Sequence, residues 1–367
     1  MKYSSDDNFF MDYAIRLAAR NIGNTGENPS VGCVITSNNK IISIGVTGKN
    51  GTPHAEHNAI HGIKNFPINT TVYVTLEPCS HSGKNPPCTN LLIKKKVKRV
   101  VIAQKDPNPI VNGEGIKLLE KNGIQVNYGI SEKLAQENHY GFINNIKYKF
   151  PEINIKVASS KNGFTIPEEG TKWITNYLSR SYGHVLRSNH DAIMVGINTV
   201  LSDNPSLDCR LNGLKDRSPI KLIVDTDLKT PLDSILVENA KNDLIIFTNT
   251  MNNKRINSYE KKGIKIIHIK KNNKGHLKIE EILSFLNKMN INRLLIEGGS
   301  TLSSSFLDKN IVNLVYWFSS QNDLNLGKSL NKYDKKLNNL RDSQNFLLKD
   351  SINLRDNKLE IFSSRKD

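Results

Sequence analysis

The sequence contains few cysteines and no long apolar segment. Its 367 residues include only four cysteines, too few for a disulfide framework in a chain of this length. No apolar run approaches the ~20 residues that a membrane-spanning helix requires. Residues 1–12 lack the basic stretch followed by an apolar stretch that marks a secretory signal. We therefore expect a cytoplasmic protein with no membrane partner, and the length favours two domains.

The chain is strongly basic, with a formal net charge of +16. Such an excess can indicate a nucleic-acid-binding surface, but Lys and Arg are in excess in both halves of the chain. Compositional drift explains this distribution better, and a small phosphorylated substrate would also suit a basic site. We treat nucleic acid as an unlikely partner; such binding would weaken steeply with added salt.

Two short segments carry the strongest chemical signal. One is His54-Ala55-Glu56, and the other is Pro78-Cys79 with Cys88 following. An imidazole and two thiolates can bind zinc and leave a fourth position for water. Glu56 is close enough to such an ion to move protons without being a ligand. This pattern is typical of zinc deaminases, which replace an amino group by oxygen on a nucleobase-like ring.

Simpler interpretations of these four residues carry less weight. H-x-E alone is often accidental, two cysteines are often small buried residues, and a structural zinc usually has four protein ligands. All four residues occur in the order and context that the signature requires. The conjunction therefore favours a deaminase over a basic nucleic-acid-binding protein with a structural zinc.

The hydrophobic pattern alternates between strands and helices, which predicts an α/β protein with mainly parallel sheets. One helix should begin just after Pro53 and another near Cys88, so both metal-binding segments lie at helix starts. Helix N-termini carry partial positive charge and stabilise thiolates. A boundary near 147–151 predicts two domains, 1–148 and 149–367.

The second half offers candidate anion sites. Residues 297–301 end a predicted strand and open a helix, where two glycines allow a ligand to approach the backbone. A tight turn without a ligand would have the same pattern. Arg187 and Arg210 could clamp a phosphate, or both could be ordinary solvated arginines. The residues alone therefore predict only an α/β domain with candidate anion sites.

Taken together, the motifs resemble the bifunctional riboflavin-biosynthesis deaminase–reductase family over nearly the whole chain. The eight-residue gap between Cys79 and Cys88 is discriminating, since cytidine deaminases and most nucleic-acid deaminases have a two-residue gap. The resemblance rests on these stretches of sequence: 28–35, 53–56, 75–81, 86–88, 106–109 and 113–115 in the first half, and Ser160 with Gly163, 172–175, 186–187, 191–193 with Gly196, 199–207, Arg210 and 297–299 in the second.

The resemblance implies a cytidine-deaminase-like α/β/α domain followed by a dihydrofolate-reductase-like α/β domain. It implies two consecutive steps of riboflavin biosynthesis. A zinc-dependent hydrolase removes the 2-amino group of 2,5-diamino-6-(5-phosphoribosylamino)pyrimidin-4(3H)-one, and an NADPH-dependent oxidoreductase then converts the ribosyl side chain to a ribityl chain. A homodimer is suggested on the same basis.

The resemblance also implies roles for individual residues. His54, Cys79 and Cys88 would bind zinc, and Glu56 would be the catalytic proton carrier. The positions matching substrate contacts of the reductase are Thr171, Arg187, Leu207, Arg210 and Glu297. Those matching NADPH contacts are Ala158, Trp173, Thr199, Asp203, Gly299, Ser300, Thr301, Leu302, Ser303, Ser304 and Ser305.

The chain departs from the usual family pattern at several positions. Glu27 replaces a usual Pro, Asn162 replaces a usual Asp, and Thr171 replaces a usual Ser. Residues 318–327 lack the Pro-Lys-Leu-x-Gly stretch that is common there. These changes leave the four deaminase residues intact but motivate an alternative, a deaminase whose reductase domain has degenerated.

Overall fold

The computed structural model describes residues 4–63, 66–81, 86–108, 111–165, 173–323 and 345–365. The chain divides into two compact units, Met1–Phe150 and Pro151–Asp367. Each unit has its own sheet. No helix in the described ranges is both long and apolar enough to cross a membrane.

Unit 1 contains a five-stranded sheet in the order β2-β1-β3-β4-β5. β1 runs antiparallel to both β2 and β3, whereas β3, β4 and β5 run parallel. The strands are β1 (Gly32–Ser37), β2 (Lys40–Val46), β3 (Thr70–Val74), β4 (Arg99–Ile102) and β5 (Gln125–Tyr128), and the helices are α1 (Ser5–Ala19), α2 (Ala55–His61), α3 (Cys88–Lys94), α4 (Glu114–Lys121) and α5 (Glu132–Tyr148).

Helices cover both faces of this sheet, which is the α/β/α arrangement expected from the sequence. The alternation of side chains along each strand sends successive residues to opposite faces. Val34 of β1 therefore packs in the cluster with α1 and α5, while its neighbours Cys33 and Ile35 pack in the cluster with α2, α3 and α4. The cluster formed with α2, α3 and α4 lies on the face that carries the predicted zinc ligands.

A buried carboxylate joins the start of α1 to the sheet. Asp7 accepts a hydrogen bond from the hydroxyl of Tyr73 at 2.9 Å and two from the guanidinium of Arg99 at 2.7 and 3.0 Å. Burial opposes ionisation, but these hydrogen bonds outweigh it, and the pKa of Asp7 is lowered. The stabilisation is therefore present above about pH 4, the usual pKa of Asp in an unfolded chain, and is lost as the pH falls through the lower folded value.

Unit 2 contains a nine-stranded sheet in the order β10-β9-β8-β7-β11-β6-β12-β14-β13. Its strands are β6 (Glu152–Ser159), β7 (Ala192–Gly196), β8 (Ile220–Val224), β9 (Leu244–Thr248), β10 (Lys265–His268), β11 (Arg293–Ile296), β12 (Leu314–Ser320), β13 (Phe346–Leu354) and β14 (Asn357–Ser364), and its helices are α6 (Tyr177–Ser188), α7 (Ile197–Asp203), α8 (Ile235–Glu238), α9 (Asn253–Glu260), α10 (Ile279–Lys288) and α11 (Ser300–Leu307).

Seven neighbouring strands of this sheet, from β10 to β12, are parallel, and β14 and β13 add an antiparallel edge. The carboxyl ends of parallel strands meet at one edge of a sheet, which is where ligands bind in folds of this type. Hydrophobic runs in the sequence predict strands close to β6, β7, β8, β9, β10 and β11, but not β12, β13, β14 or the short helix α7.

We expect Arg99→Ala to destabilise unit 1 by about 3 kcal/mol, because it leaves the buried charge of Asp7 without its partner. Urea unfolding followed by far-ultraviolet circular dichroism measures this loss. Lys117→Ala is a matched control, since Lys117 pairs with Glu114 on the exposed surface of α4, where an ion pair contributes little to stability. Equal effects of the two substitutions would contradict the role given to Asp7 and Arg99.

Candidate active site

Three separate segments supply the predicted zinc ligands. His54 is the N-cap residue of α2, and Cys88 is the first residue of α3. Cys79 lies in the segment between β3 and α3. The structure brings the three side chains together as the sequence predicted, with their ligand atoms all within 4.8 Å of one another.

The spacing of these atoms fits a single tetrahedral ion. Nδ1 of His54 is 3.3 Å from Sγ of Cys88 and 3.6 Å from Sγ of Cys79. Typical zinc–nitrogen and zinc–sulfur bonds at tetrahedral angles would separate such atoms by about 3.5 Å. The donor set of one imidazole and two thiols is also the one that zinc prefers. The residues present therefore fit zinc, with Nδ1 as the ligating nitrogen of His54.

The surroundings favour a thiolate at Cys79. A hydrogen bond from the thiol of Cys88 lowers the pKa of Cys79, and His54 adds to the effect against the opposing influence of burial. The backbone N–H of Cys88 also donates to Sγ of Cys79 at 3.3 Å. The thiolate is the form that binds a metal.

Glu56 is buried beside this cluster, with 4 % of its surface exposed. It lies in the first turn of α2, two residues after His54. Burial raises the pKa of Glu56, and the proximity of Cys79 raises it further. A carboxyl group in this environment can alternate between its protonated and ionised forms closer to neutral pH than an exposed glutamate can.

Glu77 lies in the 75–81 stretch that carries the family resemblance, but the sequence pattern assigned it no role of its own. Its buried carboxylate accepts hydrogen bonds from four backbone N–H groups, those of Asp106, Gly113, Gly115 and Ile116. The adjoining Pro78-Cys79 was the signal that could have drawn attention to it. Its partners are about 30 or more residues away in the chain, so spacing alone could not reveal them.

In unit 2, two of the predicted substrate residues contact each other. Nε and Nη2 of Arg187 donate to the two carboxylate oxygens of Glu297 at 2.8 and 2.9 Å. Nη1 of Arg187 donates to the backbone oxygen of Asp208 at 3.0 Å. Arg187 is therefore held inside the protein by a two-pronged ion pair with Glu297, and is not the solvated arginine that the sequence left open.

Two other predicted substrate residues, Leu207 and Arg210, lie between α7 and β8. Arg210 is about half exposed and pairs with Asp208 and Ser206. Leu207 is buried with a positive φ of 55°. Thr171 lies outside the described residues.

Lys156 is a residue that sequence reasoning missed. It lies on β6 with Nζ 3.9 Å from the Glu297 carboxylate. Burial lowers its pKa, and Glu297 and Asp203 act against that shift. The sequence did contain a signal for this residue. Lys156 lies between the buried Ile155 and Val157, and the alternation of side chains along a strand places it on the face opposite to theirs.

The predicted NADPH residues are dispersed over several elements. Ala158 lies on β6, Thr199 and Asp203 on α7, and the run 299–305 at the start of α11. A Cβ placed on Gly299 would be 4.0 Å from Oγ1 of Thr199, so these two positions are neighbours.

Not every residue of this set is accessible. Ser303 and Ser304 face inward and are buried, whereas Gly299 and Thr301 are exposed. Trp173 is also exposed, with the guanidinium of Arg180 lying 4.9 Å from its ring centroid. The chain's other tryptophan, Trp317, is buried in β12 and donates a hydrogen bond to Ser159.

The fold and the site together define the class of the protein. A mixed α/β sheet with His54 and Cys88 at two helix starts and Cys79 beside them defines a zinc-type deaminase unit, and a second α/β unit follows it. Residues 4–104 match the family model of the cytidine and deoxycytidylate deaminase zinc-binding region, and residues 151–319 match that of the RibD C-terminal domain.

Relatives match nearly the whole chain. The riboflavin biosynthesis protein RibD of Actinobacillus pleuropneumoniae is 38 % identical over 311 residues, covering 84 % of this chain and 82 % of the relative. RibD of Escherichia coli K12 is 33 % identical, covering 84 % and 85 %. The chain belongs to the RibD family.

Solved structures agree with this assignment. RibD of Acinetobacter baumannii superposes with a TM-score of 0.84 and 31 % identity, covering 98 % of this chain and 99 % of that chain. The deaminase/reductase of Thermotoga maritima gives 0.83 and 32 % with the same coverage. The chain is thus a bifunctional deaminase and reductase of riboflavin biosynthesis, as the motifs implied. Neither the degenerate reductase nor the nucleic-acid-binding protein is favoured.

We expect Cys88→Ala to lose most of its bound zinc, because two protein ligands hold the ion far more weakly than three. Zinc per chain is measured by atomic emission on protein purified with zinc and then dialysed. Cys209→Ala is the matched control, since Cys209 is also buried and free but lies in unit 2. Full zinc in Cys88→Ala would remove Cys88 from the site.

Proposed function

We propose that residues 1–148 catalyse the hydrolytic deamination of 2,5-diamino-6-(5-phosphoribosylamino)pyrimidin-4(3H)-one and that residues 149–367 reduce the ribosyl chain of its product with NADPH. The observation that carries the first step is the convergence of His54, Cys79 and Cys88, with Glu56 buried beside them. The second step rests on the buried Arg187–Glu297 pair at the carboxyl edge of the parallel sheet.

In the deaminase unit, His54, Cys79 and Cys88 would hold zinc. A bound zinc ion supplies a water molecule that loses a proton near neutral pH. Glu56 would accept a proton from the attacking water at its carboxylate and give one to the departing amine. Its burial serves this role, because a raised pKa makes the carboxylate a better proton acceptor.

In the reductase unit, NADPH supplies the hydride, and the protein binds and orients the two partners. Burial opposes ionisation of Glu297, but Arg187 and Lys156 overcome it and lower its pKa to about 2. Glu297 is therefore a carboxylate that can accept hydrogen bonds from hydroxyl groups of the ribosyl chain. The exposed Arg210 suits the substrate phosphate, while Arg187 holds Glu297 in place.

The remaining assignments are proposals of the same kind. We propose that Ala158, Trp173, Thr199, Asp203 and the accessible residues of the run 299–305 line the NADPH site, and that Thr171, Leu207 and Arg210 contact the substrate with Glu297. A cytoplasmic location, a homodimer and the absence of a nucleic-acid partner complete the proposal.

We expect Glu56→Gln to lower the deamination rate by roughly 10²–10⁴-fold, the usual contribution of a positioned proton carrier. Zinc content should stay at the wild-type level, because the three ligands remain. The variant should still reduce the deaminated intermediate supplied to it, which serves as the internal control. Deamination at the wild-type rate would exclude Glu56 from the mechanism.

Incubation with the diaminopyrimidine phosphate, read by mass spectrometry, tests both steps in one experiment. Without NADPH we expect only the exchange of an amino group for oxygen, with one ammonia released. With NADPH we expect a further gain of two hydrogens and an equal amount of NADPH oxidised. Deamination without NADPH oxidation would favour the degenerate reductase instead.

A further inference from the structure

The carboxylate of Glu77 binds four backbone N–H groups from a single loop and helix start. Oε1 accepts from Gly115 and Ile116 at 3.0 and 3.3 Å, and Oε2 accepts from Asp106 and Gly113 at 3.2 and 3.0 Å. Hydrogen bonds to an ionised acceptor are shorter and stronger than those between neutral groups. One side chain therefore holds both Asp106 and the first turn of α4.

Glu77 replaces the capping side chain that α4 lacks. The first N–H groups of a helix have no partner inside the helix, and the N-cap residue Gly113 has no side chain to offer. A negative charge at this end also matches the helix dipole. The fit is close: a Cβ on Gly115 would lie 2.2 Å from the backbone oxygen of Pro78. The start of α4 thus rests directly on Glu77 and Pro78.

This contact is continuous with the predicted zinc ligands. Cys79 follows Pro78, and its backbone oxygen accepts hydrogen bonds from the N–H and hydroxyl of Thr89, the residue after Cys88. On the other side of Glu77, its own N–H donates to the backbone oxygen of Gln104 at 2.9 Å. Asp106 lies close enough to Cys79 to interact with it electrostatically. Movement of Glu77 would therefore shift both Cys79 and the 104–108 loop.

We propose that Glu77 is a positioning residue of the deamination site. It holds Cys79, Asp106 and the start of α4 in the geometry that retains zinc. This inference rests on the proposed function of unit 1. Glu77 acts through the backbone and through Cys79, without touching zinc or substrate. A purely structural residue would lower the melting temperature while leaving zinc retention and kcat/KM unchanged.

The test compares Glu77→Gln with Glu114→Gln. The glutamine has the same shape, but it carries no charge and turns an NH₂ group towards two N–H donors. We expect zinc transfer to a chelating dye to be about tenfold or more faster than in the wild type, and kcat/KM for deamination to fall about 10–100-fold, the range found for residues that orient metal ligands. Reduction of the deaminated intermediate should be unchanged.

Glu114 is a matched control for the same helix turn. It is the first residue of α4, but its carboxylate is exposed and pairs with Lys117 at 2.7 Å. Glu114→Gln should release zinc and deaminate at wild-type rates. Wild-type zinc release in Glu77→Gln would overturn the proposal, even if the melting temperature falls.

Two less disruptive substitutions, Gly113→Ala and Gly123→Ala, test the proposal if Glu77→Gln fails to fold. Gly113 and Gly123 have φ values of +85° and +77°, and a Cβ on either would meet no atom within 4 Å. Alanine therefore introduces similar backbone strain at both positions, but only Gly113 donates to Glu77. We expect faster zinc release in Gly113→Ala than in Gly123→Ala, and equal rates would overturn the proposal. A wild-type protein without deaminase activity would instead contradict the proposed function.

Discussion

The close approach of α2 to strand β2 determines the positions of His54 and Glu56 in the deaminase unit. A Cβ on Gly45 would lie 2.2 Å from the backbone oxygen of Ala55 and 2.4 Å from the backbone nitrogen of Ala59. Only glycine permits this contact between helix and strand. His54 and Glu56 flank Ala55, so their depth above the sheet follows from the backbone contact. The same close packing buries Glu56, on which its proposed acid–base role depends.

The two units fix their reactive groups in different ways. In unit 1 the positions depend on contacts to the backbone: Gly45 of β2 packs against the backbone of α2, and Glu77 binds the backbone N–H groups at the start of α4. Unit 2 uses buried charge, because Arg187 and Lys156 keep Glu297 ionised against the cost of burial. Removal of one partner from such a pair leaves an unpaired charge in a buried site. The proposed reductase site therefore depends on an ion pair between side chains, whereas the proposed deaminase site depends on contacts to the backbone.

The structural features that could be predicted from the sequence are those determined by residues close together in the chain. His54 and Glu56 are two residues apart, and their position at the start of a helix follows from local pattern. Strand β8, Ile220–Val224, is a short apolar run that hydrophobic pattern identifies directly. The contact between Arg187 and Glu297 joins residues 110 positions apart, and no local signal reports it. The same holds for the partners of Glu77 and for Lys156, whose surroundings come from other strands.

The placement of the aromatic residues has a spectroscopic consequence. The chain's two tryptophans, Trp173 and Trp317, both belong to unit 2. Trp173 is exposed and is itself one of the residues proposed for NADPH, and Trp317 is buried in β12. Intrinsic tryptophan emission therefore originates wholly in the reductase unit. The protein carries a built-in optical reporter for one of its two activities, while the zinc-binding unit contributes no tryptophan signal to mask it.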